Sequence, residues 1–130
     1  MTDLAKAYFQ WYKGSKEHEW ARDRIEEIFD DDIDKAWEVT LELIDAAPSK
    51  ESLYYVAAGQ LETLVSKSGS ELLERIKQEA RCNKKLLFAM TGIYIDEKNP
   101  VCDEYLKFVS DEQGIRTPED VNRLVELPDK

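Results

Sequence analysis

Residues 30–64 read DDDIDKAWEVTLELIDAAPSKESLYYVAAGQLETL, and the periodicity of this stretch decides the fold class. Ile33, Ala36, Trp37, Thr40, Leu41, Ile44 and Ala47 recur at the i, i+3, i+4, i+7 spacing of a helix with one buried face. Asp32 stands where a helix takes its N-terminal cap, and Pro48 closes the segment. Ser49 then caps a further helix with Leu53, Val56, Ala57, Leu61, Leu64 and Val65 inward, in which Gly59 marks a kink or a split.

The same grammar extends to both ends of the chain. A first helix is expected from Asp3 to Lys13 behind a Thr2 cap, with Leu4, Tyr8 and Trp11 on one face and Gly14 as its stop. Ser15 is placed to cap a second, reaching about Phe29, with Ala21, Ile25, Ile28 and Phe29 as its stripe and Trp20 at the edge. Beyond residue 64, Ser68-Gly69-Ser70 reads as a turn, followed by a helix over 71–81. After Asn83 comes a strongly apolar helix over 86–95. Asn99-Pro100 opens a helix that Gly114 ends, and Thr117-Pro118 starts a short last one that Pro128 stops. The expected fold is therefore all-α: a single domain over residues 1–130 of seven to eight short helices paired as antiparallel hairpins. A weak repeat at 33 residues, Leu53 to Gly59 against Leu86 to Gly92, points to α-solenoid-like stacking of two hairpins.

Composition narrows the function classes. The 130 residues carry 28 acids, 18 bases and a net charge of −10, which opposes binding to nucleic acid or an anionic membrane and favours a basic protein as partner. MTDLAKAYFQWY has neither the basic flank nor the apolar run of a secretion signal, and the longest apolar stretch is about half a membrane span, so a cytoplasmic location is expected. Cys82 and Cys102 have no metal-ligand spacing and are read as reduced, buried thiols.

Three short patterns resemble a known family. Ala36-Trp37 leads an apolar helix ending in Ala47-Pro48, a Tyr-Val-Ala-Ala-Gly-x-Leu-Glu-x-Leu run spans residues 55–64, and Ile-x-x-Glu-Ala-Arg covers 76–81. In these the chain resembles a family of small bacterial helical proteins catalogued as a domain of unknown function, over about residues 30–95. The resemblance implies a helical fold in a bacterium and carries no activity. It leaves the aromatic helices of residues 1–29 and the helices of 99–127 outside.

No catalytic or cofactor set is expected, and neither is a bound metal. His18 is the only histidine, which removes the commonest member of nucleophile-base pairs and of metal sites. Asp30, Asp32 and Asp34 imitate the opening of a calcium loop. Lys35 then stands where glycine is required, and Leu41 where a bidentate Glu is required. A cap at Asp32 explains the spacing more simply.

What remains is charge on a surface. Over residues 30–47 the seven carboxylates Asp30, Asp31, Asp32, Asp34, Glu38, Glu42 and Asp45 face one base, Lys35. Asp34, Glu38, Glu42 and Asp45 form an outward ladder whose neighbouring like charges cost a helix roughly 0.2–0.5 kcal/mol per pair. The expectation is a non-enzymatic protein-binding module, such as an immunity or antitoxin-like protein that neutralises a basic, nucleic-acid-directed toxin domain. Asp30, Asp31, Asp34, Glu38, Glu42 and Asp45 would supply attraction, and Trp11 and Trp20 the apolar anchors. Two other readings stand beside it: a structural adaptor or homodimer built on the N-terminal aromatics, and a carboxylate- or metal-dependent hydrolase.

Overall fold

The computed structural model describes residues 2–130; the side chain of Thr2, and with it the expected cap, lies outside the described residues. The elements are α1 (Thr2–Tyr12), α2 (Glu19–Asp31), α3 (Ile33–Ala46), α4 (Lys50–Val56), α5 (Glu62–Ala80), α6 (Lys84–Met90), α7 (Cys102–Lys107) and α8 (Pro118–Asn122). The fold is all-α, and no strand occurs among the described residues. None of the helices described is long and apolar enough to cross a membrane.

Local chemistry sets most of the boundaries. Gly14 ends α1 at φ +109, a backbone state that glycine enters without steric cost, and its N–H reaches the Trp11 carbonyl at 2.9 Å. Ser15 does not cap α2 directly. Its hydroxyl shares a 2.7 Å hydrogen bond with His18 Nδ1 across a 3₁₀ turn, Lys16–His18, so α2 starts at Glu19. Asp32 does cap α3: its carboxylate accepts from the N–H groups of Asp34 at 3.0 Å and Lys35 at 3.2 Å. Ser49 and Ser52 cap α4 reciprocally, each hydroxyl taking the other's backbone N–H at 3.1 Å.

Three further expectations change. First, Ser68-Gly69-Ser70 is no turn. A π-helical segment, Ala57–Leu61, joins α4 to α5, and helical backbone continues to Ala80 with only Ser68 displaced (φ −134, ψ 21). Asn99 donates to the Ser66 carbonyl at 3.1 Å beside this kink, and a β-carbon on Gly69 would meet Val101 at 2.8 Å. The small residues therefore serve a close approach of residues 99–101 to α5. Second, α6 ends at Met90 and not at residue 95, because the Thr91 hydroxyl donates to the Phe88 carbonyl at 2.6 Å and Gly92 turns the chain. Third, Cys82 is exposed beyond the end of α5, whereas Cys102 is buried as expected.

The buried side chains form one continuous cluster that includes Tyr8, Ile25, Trp37, Leu43, Leu53, Ile76 and all of residues 86–90. The two segments of the 33-residue repeat pack on each other, with the Tyr54 ring stacked over Phe88 at 4.7 Å between centroids. Their glycines serve different ends. Gly92 lies under Tyr54, where a β-carbon would come within 2.3 Å, while Gly59 has open space around the same position.

Candidate functional site

The ladder on α3 is partly answered from within the fold. Arg75 on α5 places Nη1 2.6 Å from Asp34 Oδ1. Lys85 donates to the carbonyls of Asp45 at 2.6 Å and Ala47 at 3.3 Å, setting a cation at the negative end of the helix. Glu42 is half-buried, and its Oε2 is closed to solvent with no hydrogen-bond partner among the described residues. Glu38 and Asp45, and Asp30 and Asp31 at the α2–α3 junction, are exposed and enter no ion pair among the described residues.

The charge asymmetry is larger than the ladder alone. Residues 17–45 contain twelve acids and only Arg22, Arg24 and Lys35 as bases, so they hold −9 of the chain's −10. Two of those bases are engaged locally: Arg22 lies 3.0 Å from both Glu19 and Asp23, and Arg24 is 3.2 Å from Glu27. All other residues together are nearly neutral. The helical pair α2–α3 is thus the pole of the molecule, and its field attracts cations at a range set by the ionic strength.

The two expected tryptophan anchors lie toward the end of α2 opposite Asp30 and Asp31. Trp11 is half-buried with the Arg22 guanidinium 5.3 Å from its ring centroid and Tyr8 at 5.4 Å. Trp20 is 53% exposed, but it sits in the first turn of α2 while Asp30 sits in the last. Ten residues of helix separate the two by about 15 Å. Phe29, half-buried, is the aromatic directly beside Asp30.

Phe29 belongs to a cleft of about 350 Å³ between α2 and the π-helical joint. Ile25, Glu26, Phe29 and Asp30 form one wall, and Gly59, Gln60, Thr63 and Lys67 form the other. Behind it the Gln60 amide donates to the Tyr8 hydroxyl at 3.3 Å. Burial pushes the Tyr8 phenol up to about 12 despite that hydrogen bond, so it stays protonated at neutral pH. Beside Gln60 a phenol pair continues the surface: Tyr12 and Tyr55 lie 4.8 Å apart, and the Tyr12 hydroxyl donates to Glu51 at 3.3 Å. Among the described residues no three His, Cys, Asp or Glu side chains converge as a metal site.

Residues 10–112 match the family described as "Family of unknown function (DUF6869)". The chain belongs to this family. No curated protein and no solved structure matches it. The match is wider than the resemblance over residues 30–95, taking in the end of α1 with Trp11 and Tyr12, all of α2, and α7.

In this DUF6869 chain several of the signature residues hold the fold together, some locally and some across the chain. Trp37 is in the core; the Glu62 carboxylate accepts the Tyr94 N–H at 2.7 Å; Glu79 accepts from the Asn83 side chain at 3.1 Å. Arg81 bonds the Glu112 carboxylate at 3.1 and 3.3 Å with its guanidinium 5.5 Å from the Phe108 ring centroid. Tyr55, Ala58 and Gly59 are left pointing outward, on the turn that borders the cleft. The acids of the pole are legible in the sequence, whereas the meeting of Glu26, Phe29, Gly59 and Gln60 in one cleft is not. A running charge count would have found the pole, and no local pattern joins α2 to residue 59.

Proposed function

We propose that the protein is a non-enzymatic binding module for a basic protein, in the manner of a bacterial cytoplasmic immunity or antitoxin-like protein that masks a nucleic-acid-directed toxin domain. The observation that carries this reading is the concentration of −9 of the net charge in residues 17–45, with Asp30, Asp31, Glu38 and Asp45 exposed and unpaired among the described residues. Repulsion among like charges on one helix pair costs stability in the free protein, and a cationic surface relieves it on binding. The expected behaviour is fast association that slows steeply with salt.

The test reverses Asp30, Asp31, Glu38 and Asp45 to Lys, all exposed positions, and leaves half-buried Glu42 intact. Association with a basic nuclease domain should slow by roughly tenfold or more at low salt, as expected when steering is lost. An unchanged association rate overturns the electrostatic reading. A second reading, self-association, rests on the exposed aromatics Trp20 and Tyr55 at 53% and 45%. Light scattering that finds a concentration-independent monomer removes it.

A further inference from the structure

We propose that the cleft between α2 and the Ala57–Leu61 segment is a pocket for an arginine side chain of the basic partner, an inference that rests on the binding reading above.

Gly59 has no backbone reason to be glycine. Glycine inside helical backbone costs about 0.5–1 kcal/mol relative to alanine and is usually kept for a positive φ or a close approach. Neither applies: the only positive-φ residues are Gly14 and Gly114 among those described, and a β-carbon at Gly59 would meet nothing within 4 Å. What the missing side chain does supply is the open volume of the cleft. The π-helical turn that carries Gly59 is itself an irregularity, a geometry found mostly as single turns inside α-helices and frequently at functional sites.

The lining of the cleft is acidic around an aromatic face. Glu26 and Asp30 are one turn apart on α2, both exposed, both free of ion pairs among the described residues, and both on the cleft wall. Between and beside them lie the apolar faces of Ile25 and Phe29. Carboxylates flanking an aromatic face suit a guanidinium, which is planar, weakly hydrated, able to stack on a ring and able to donate to two acceptors at once. Lys67 on the far wall is a single cation facing two acids, so the cleft keeps an excess of negative charge. An ammonium ion gains less there, because it is strongly hydrated and cannot stack.

The test uses a short peptide of alternating arginine and glycine, its lysine counterpart, and the full chain at low salt, read by calorimetry and by amide NMR shifts. Binding of the arginine peptide should weaken roughly tenfold in Gly59→Leu, a change that fills the cleft while the thermal midpoint holds, and by a similar factor in Glu26→Gln/Asp30→Asn. Shifts in the wild type should centre on the amides of Phe29, Gly59 and Thr63. Equal affinity in wild type and Gly59→Leu overturns the pocket and leaves the acidic pole as the binding surface. Equal affinity for the lysine peptide overturns the choice of arginine. Failure of the wild type to bind either peptide overturns the pocket and the binding reading together.

Discussion

Tyr54 lies across Gly92, so close that a β-carbon there would come within 2.3 Å of its ring, while the repeat-related Gly59 has nothing within 4 Å. The two positions look alike in sequence, and the fold gives them opposite demands. Gly92→Ala must push aside a ring already stacked on Phe88, and should lose about 1–3 kcal/mol to overpacking. Gly59→Ala should instead gain about 0.4–1 kcal/mol by restricting the unfolded chain. Urea unfolding of the two variants checks the contrast, and the same sign for both would contradict it.

Residues 128–129 add to the Ser49 cap of α4. The Lys50 and Glu51 N–H groups donate to the carbonyls of Pro128 and Asp129 at 2.8 and 2.9 Å. Deleting residues 128–130 returns both amides to water and should cost about 1–2 kcal/mol, at roughly 0.5–1.5 per hydrogen bond. Hydrogen exchange at Lys50 and Glu51 should accelerate in the truncated chain and stay unchanged at the Asp32-capped start of α3.

Stability should fall in alkali through two buried phenols. Burial raises Tyr8 from 10 to about 12 and holds Tyr105, whose hydroxyl donates to the Met90 carbonyl at 2.7 Å, well above its ordinary value. A raised folded-state pKa gives a contribution that is complete below about pH 10 and is lost as pH climbs through the folded value. The Tyr8 share is about 2–3 kcal/mol over pH 10–12. Denaturation at stepped pH should show this decline, shallower in Tyr8→Phe.

Asp32 and Asp30 share the calcium-like spacing and should separate cleanly. Asp32 accepts two backbone N–H bonds at the start of α3, so Asp32→Ala should cost about 1 kcal/mol. Asp30 makes no ion pair among the described residues, so Asp30→Ala should stay within about 0.5 kcal/mol. Thermal unfolding of both variants decides it, and equal losses would mean that Asp30 holds something in the fold.

Legibility followed the range of the interaction that sets each feature. The caps at Asp32, Ser49, Asn83 and Thr117 act within three residues, and each was readable as a residue type in front of an apolar repeat. The turn expected at Ser68 failed because its small residues answer to Val101 and Asn99, more than thirty positions away. Helix length likewise separates Trp20 from Asp30 by about 15 Å, a spacing that residue type alone does not show.

The sequence by itself determined that this protein is helical, belongs to its family pattern, and carries its charge on the second and third helices, because periodicity, capping and composition are local properties. Only the tertiary structure decided which acids are spent. Arg75 takes Asp34, and Lys85 covers the end of α3, through contacts that span about forty residues. It also decided that Glu26, Phe29, Asp30, Gly59 and Gln60 share one cleft. Two stretches of helix must lie side by side before that space exists.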